Sequence, residues 1–182
     1  MKILNSDDHF ERLLKDAGLD SKMPPEEKQP RDVARDRAKE LTTFQRRNFV
    51  RGRLGLIIDG TGKDYDKITN QARQLEALGY DTHMIFVNTS LDVALQRNAE
   101  RPRKLAEPLV VQSWNDVQKN IGKFQNLFGG NFRIVDNTVY KPIAREVQKA
   151  VNKFVRKPIY NPIGKQWIEN AKALKKAGFI KK

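Results

Sequence analysis

The chain has 182 residues, of which 38% are hydrophobic and 31% are charged, a composition that fits one globular domain with room for a tail. No apolar run is long enough to span a membrane, and residues 1–10 lack the apolar core of a signal peptide. The absence of cysteine excludes disulfides, zinc thiolate sites and cysteine nucleophiles. A reducing compartment, the cytoplasm, is therefore the expected location.

The formal net charge of +13 is concentrated near the C-terminus. Residues 141–182 contain 12 Lys and Arg against two acidic residues, a net charge of +10. Basic segments of this kind bind nucleic acid or another acidic surface, or they form a solvated helix face that keeps a protein soluble. Both interpretations stay open. We predict an α/β domain over residues 1–140 and a basic helical extension over residues 141–182.

Hydrophobic periodicity predicts strands and helices that alternate along the chain. In chain order they are strand 2–5, helix 9–17, helix 32–50, strand 54–58, helix 66–78, strand 82–87, helix 90–98, helix 109–128, strand 132–135, helix 142–155 and helix 164–177. A proline-rich loop is predicted at 21–30. The continuous apolar run at 54–58 is typical of a strand that is buried on both faces of a parallel sheet. The predicted fold is therefore α/β, a three-layer parallel sheet with flanking helices.

Ligands of parallel sheets bind at the carboxyl ends of the strands, so the residues just after each strand are candidates for a site. Asp7 and Asp8 follow the first strand, within the sequence Asn-Ser-Asp-Asp. A carboxylate in that position can take a proton from a hydroxyl nucleophile. Alternatively, Asp7 or Asp8 caps the free N–H groups of the next helix, which the spacing alone favours.

A second candidate segment, residues 59–63, follows the strand at 54–58 and begins with an acidic residue. Its Gly62-Lys63 pair resembles the end of a Walker A loop, but that loop requires G-x-x-x-x-G-K-[ST]. Ile57 occupies the position of the first glycine and Asp64 that of the Ser or Thr. The other two Gly-Lys pairs also fail the pattern, so the sequence contains no Walker A loop. A plain strand-to-helix turn is the alternative interpretation of residues 60–62.

A third candidate segment is basic, with Arg97 and Arg101 four residues apart and Arg103 close behind. Residues at this spacing share a helix face, and convergent guanidinium groups can bind phosphoryl oxygens. A solvated basic turn is the alternative interpretation.

The order of these motifs resembles that of a known family. The series NSDD, LIIDGT, GYDTHMIFVNTSLDVALQRNAER and FRIVDNT, from Ile3 to Asn137, is similar to P-loop kinases of the phage polynucleotide 5′-kinase and zeta-toxin type. The likeness is strongest from Leu54 to Arg101. It implies a phosphotransferase that moves the γ-phosphate of ATP to a hydroxyl with the help of Mg²⁺.

The resemblance also implies roles for individual residues. Asp7 matches the catalytic base of the polynucleotide kinases, whereas Asp8 matches the base of zeta toxins. The catalytic and ATP-binding arginines of the lid correspond to Arg97 and Arg101, and Arg103 is a further candidate.

Other positions match the binding loops of the family. Asn137 lies in the loop that flanks adenine. The acceptor would be bound by the loop after the second strand, namely Asp59, Gly60, Thr61 and Lys63. No residue is expected to bind a metal directly.

Two departures from the family pattern affect the expected function. Phe10 and Glu11 stand where polynucleotide kinases have an arginine that contacts the acceptor phosphate, so a polynucleotide, a nucleotide or a smaller hydroxyl compound fits equally well. The family's first strand and Walker A loop have no counterpart before Asn5. Phosphoryl transfer needs the phosphate contacts of that loop, so the chain alone is expected to be inactive.

Three hypotheses account for the missing loop. The sequence represents a truncated kinase, or half of a split kinase whose partner chain supplies the strand and the Walker A loop. In the third hypothesis it is a kinase relic without activity. Such a relic would be a binding or structural module, for example a phage particle component, that contacts nucleic acid or a protein partner through residues 141–182.

Overall fold

The computed structural model describes residues 1–20, 22, 24–101, 104–139 and 143–179. It is mostly helical, with 66% helix and 9% strand. The elements in chain order are β1 Lys2–Leu4, α1 Ser6–Asp16, α2 Lys28–Arg51, β2 Leu56–Ile58, α3 Tyr65–Ala77, β3 Met84–Asn88, α4 Leu91–Glu100, α5 Glu107–Phe128, β4 Phe132–Asp136, α6 Ala144–Val155 and α7 Pro162–Lys176. Short 3₁₀ turns cover Pro25–Glu27 and Gly129–Asn131. None of the helices in these ranges is long and apolar enough to cross a membrane.

The predicted three-layer parallel sheet is wrong. The four strands form two separate two-stranded sheets, in which β1 pairs with β2 and β3 pairs with β4. Both pairs are parallel, as expected, with Leu4 opposite Ile58 and Asn88 opposite Asp136. The apolar runs located the strands, but strands of three to five residues form few ladder hydrogen bonds. Eight of the eleven buried hydrophobic residues of the described chain lie in helices.

The chain divides into two compact units. The first unit comprises Met1–Thr61 and Leu95–Val110, and the second comprises Gly62–Ala94 and Val111–Lys182. Each sheet lies within one unit, because β1 and β2 belong to the first and β3 and β4 to the second.

The core of the first unit lies between α1 and α2. Phe10 and Leu14 of α1 are almost completely buried against Ala34 and Ala38 of α2. The two alanines are one turn apart on the same helix face, where their small side chains leave room for the larger residues of α1. The strand β2 is not part of this core. Its residues 57 and 58 are 39% and 37% exposed, so the prediction of a strand buried on both faces is also wrong.

The core of the second unit centres on aromatic residues. Phe124 of α5 is completely buried, Phe86 of β3 is 5% exposed, and the two approach the chain at Gly62. Gly62 has a φ of +79°, and a Cβ at this position would lie 3.3 Å from the Phe86 ring. The side chain of Asn120 donates to the carbonyl oxygens of Gly62 and Lys63 at 3.2 and 2.9 Å. This turn is thus shaped by packing and by one buried amide.

Helix α7 is attached to the turn between α3 and β3. Asn161 caps α7 by accepting from the N–H of Gly164, and its own amide donates to the carbonyl oxygens of Glu76 and Tyr80 at 2.8 and 3.2 Å. The backbones of Gly164 and Gly79 are in direct contact, since a Cβ at Gly79 would lie 2.9 Å from the Gly164 nitrogen. Residues beyond 140 therefore contribute to the second compact unit.

Candidate functional site

The strongest candidate site of the first unit lies at the carboxyl ends of β1 and β2. The N–H of Asp59 donates to the carbonyl oxygen of Leu4 at 3.1 Å, which continues the ladder past the end of β2. Asn5 and Asp59 therefore leave the sheet side by side. Since α1 begins at Ser6, the first turn of this helix starts at the same edge of the sheet.

Asp7 and Asp8 are both exposed in the first turn of α1, and neither acts as its cap. The cap is Asn5, whose Oδ1 accepts from the N–H of Asp7 at 2.9 Å. Asp7 and Asp8 are therefore not required to cap α1. The carboxylate of Asp8 forms no hydrogen bond or ion pair with a described residue. The carboxylate of Asp7 instead accepts a hydrogen bond from Arg35 on α2, with 2.7 Å between Nη1 and Oδ1.

Arg35 is a residue that sequence reasoning missed. Its guanidinium lies over the ring of Phe10, 3.5 Å from the centroid, and Phe10 is itself 1% exposed. Arg35 is thus held by two contacts. Its guanidinium packs on the buried ring of Phe10 and donates to the carboxylate of Asp7. In the sequence, only one feature could have pointed to Arg35. It directly follows Ala34, which lies with Ala38 on the helix face that becomes buried.

The ion pair between Arg35 and Asp7 matters for geometry more than for stability. Its side chains are 30% and 52% exposed, and exposed pairs of this kind contribute about 0–1 kcal/mol. The pair fixes one oxygen of Asp7, and the second oxygen has no hydrogen-bond partner among the described residues. An ionised carboxylate held in this way can accept a proton from a hydroxyl group.

The loop after β2 contains the predicted acceptor-binding residues Asp59, Gly60 and Thr61, and all three are exposed. A Cβ built at Gly60 meets nothing within 4 Å, so this glycine is not required by packing. The loop is open, and it offers a carboxylate and a hydroxyl next to the start of α1.

Arg97 and Arg101 also belong to the first unit, at the end of α4 and just after it. Arg97 is half-buried and Arg101 is exposed. Neither side chain has a hydrogen bond or ion pair within the described ranges. The amide of Asn98 accepts from the N–H of Leu105 at 3.0 Å and donates to its carbonyl oxygen at 2.9 Å, which ties together the ends of this segment. Arg103 lies outside the described residues.

Lys63 and Asn137 lie in the second unit. The side chain of Lys63 is exposed, and Asn137 is half-buried. The backbone of Asn137 extends the β3–β4 ladder, because its N–H donates to the carbonyl oxygen of Asn88 at 2.7 Å. The first unit therefore brings together Asp7, Asp59 and the loop after β2, whereas these two residues belong to a different compact unit.

The described residues do not fit a Mg–ATP site. They contain no group of three or more His, Asp or Glu that could hold a metal ion. The printed sequence contains no Walker A loop, and the turn around Gly62 is filled by Phe86 and Phe124. Nothing in the geometry of the described residues supports a polyphosphate cradle.

Comparison of the chain with protein-family models, with curated proteins and with solved structures finds no match. The likeness to P-loop kinases therefore stays a hypothesis from the sequence motifs.

Proposed function

We propose that this chain provides the acceptor side of a phosphotransferase, with Asp7 as the base that takes the proton from an acceptor hydroxyl. The observation that carries the proposal is the Arg35–Asp7 pair at the carboxyl end of the β1–β2 sheet. A kinase base needs a fixed carboxylate with one free oxygen at such an edge. Asp8 is the alternative base because it is exposed in the same turn.

Binding of the phosphate donor is assigned to a different polypeptide segment. Mg–ATP is the proposed donor, and its phosphates would be held by a strand and a Walker A loop that a partner chain supplies. Ile57 and Ile58 support this arrangement, because they expose apolar surface on a strand whose second edge pairs with no described residue. Unpaired strand edges readily add a further strand. The half-buried Arg97 and the exposed Arg101 are proposed to stabilise the transferred phosphoryl group.

Two measurements test the proposal. Calorimetric titration of Mg–ATP into the isolated chain should give no heat, since the donor site is placed elsewhere. Binding at about 10 µM or tighter would contradict that placement. The second measurement is transfer of labelled γ-phosphate to hydroxyl acceptors by the assembly that copurifies with the tagged chain from its native cells.

The variant Asp7→Asn should lower the transfer rate by about 10²-fold or more, because an amide cannot accept the proton. Asp8→Asn distinguishes the two candidate bases. Asp66→Asn is the matched control, because Asp66 is an exposed carboxylate in the first turn of α3. Undiminished transfer by the Asp7→Asn, Asp8→Asn double variant would refute the assignment of the base.

A second candidate function is non-catalytic binding of nucleic acid in a reducing, cytoplasmic setting. The observation that favours it is the lack of ion pairs among the cations of α6, α7 and the segment between them. Described residues 143–179 contain nine Lys and Arg against two acidic residues, and none of the nine forms an ion pair with a described residue. Unpaired positive charge of this density attracts a polyanion.

A further inference from the structure

A cleft lies between strand β4 and helix α6 within the second unit, whereas the residues proposed for phosphoryl transfer belong to the first. Its volume is about 240 Å³. The walls are formed by Phe132 and Arg133 on β4 and by Lys149, Lys153 and Phe154 on α6.

The charges around this cleft are unbalanced. Arg133, Lys149 and Lys153 are exposed, and the one acidic residue in the lining is Glu146. None of these four side chains forms a hydrogen bond or ion pair within the part of the chain that the structure describes. The net positive charge is therefore available to an anion from solvent.

The cations of α6 continue beyond the cleft as a row. Arg145, Lys149 and Lys153 are spaced four residues apart, so they share one face and follow each other at about 6 Å along the helix axis. Arg145 is exposed like the other two and has no ion-pair partner among the described residues. A linear row of cations matches an extended polyanion better than a single small anion.

The size and the aromatic walls of the cleft narrow the choice of polyanion. A volume of 240 Å³ lies below the range of about 300–1,000 Å³ that encloses a complete small-molecule ligand. The cleft can therefore hold part of a nucleotide, while the rest of the strand follows α6. Phe132 and Phe154 are half-buried in its walls, and His83 stacks on the Phe154 ring at 4.4 Å. The exposed parts of the two rings can contact a base, since aromatic rings beside cations bind single-stranded bases without regard to sequence.

We infer that the β4–α6 cleft and the row Arg145, Lys149 and Lys153 form a binding site for single-stranded nucleic acid. This inference rests on the second candidate function and names its site. The phosphates contact the row of cations, and a base or sugar enters the cleft that Phe132 and Phe154 line.

The test is fluorescence anisotropy of a labelled single strand of about 16 nucleotides, titrated with the full chain over a range of salt concentrations. Lys149→Gln with Lys153→Gln should weaken binding at least about tenfold and lower the salt slope by about 1.4, since each single-strand phosphate contact contributes about 0.7. Lys67→Gln with Arg73→Gln is the matched control, because it removes the same charge from exposed positions of α3 in the same unit, outside the basic residues 143–179. Glu146→Gln should tighten binding, because it removes the opposing carboxylate.

The possible results of this experiment distinguish failure of the β4–α6 site from failure of the nucleic-acid-binding function. No binding by the wild-type chain would overturn both. If the wild-type chain binds and the α3 control weakens binding as much as the α6 variant does, the function stands and this site is refuted. Equal affinity for a duplex, or equal competition by polyglutamate, would refute the assignment to single-stranded nucleic acid. Loss confined to the α6 variant, with a lower salt slope, is the supporting result.

Discussion

Gly164 provides the sharpest test of the tertiary structure. A Cβ at this position would overlap the carbonyl oxygen of Gly79, and this neighbour is backbone that cannot rotate away. Overpacking costs about 1–3 kcal/mol, and a rigid neighbour places Gly164→Ala at the upper end. Alanine regains about 1 kcal/mol of helix propensity, so the expected net destabilisation is about 2 kcal/mol.

Gly122 provides the matched control, because it lies in α5 of the same unit and a Cβ there meets nothing within 4 Å. Gly122→Ala should therefore stabilise the unit by up to about 1 kcal/mol. Urea unfolding followed by tryptophan fluorescence reports on this unit, since both tryptophans, Trp114 and Trp167, belong to it. If Gly164→Ala is as stable as the wild type while Gly122→Ala gains stability, the close contact between α7 and Gly79 does not exist.

Two further predictions concern a half-buried histidine and a helix cap. Burial, reinforced by the nearby charge of Lys157, lowers the pKa of His83, which stacks on Phe154 at 4.4 Å. The unfolded chain then binds the proton more readily, so stability should fall as the pH drops below about 6.5 and level off below the lowered pKa. His83→Phe should flatten this part of the curve in urea unfolding at several pH values, and an unchanged slope would show that another group is responsible. Asn5→Ala should cost about 1 kcal/mol in α1, measured by amide hydrogen exchange, whereas Asn5→Ser should retain most of the protection.

The sequence located most elements because their signals are local. Gly79, with a φ of +97°, follows α3 as a helix-ending glycine should, and Ser90 accepts from the N–H of Val93 at the start of α4. The direction of strand pairing was also predicted, since β1–β2 and β3–β4 are both parallel. The end of the loop at 21–30 was misjudged, because α2 already begins at Lys28.

The predicted three-layer sheet failed because strand pairing is a long-range property. The apolar run at 54–58 has the composition of a buried strand, yet a strand is buried only when other elements cover its faces. The pattern carried no information about the number of strands that pair, and residues 57 and 58 remain more than a third exposed.

Some residues of the candidate site could be predicted from the sequence, and others became visible only in the tertiary structure. Asp7, Asp8 and Asp59 could be singled out because each follows a predicted strand, and adjacency to a strand end is local information. Arg35 could not, because it reaches Asp7 across 28 positions of sequence through the packing of α1 on α2. The sequence by itself thus determined the helices, the strand positions and the clustering of positive charge after residue 140. Only the tertiary structure decided which charges are paired, because partners distant in the chain meet through packing that no local pattern encodes.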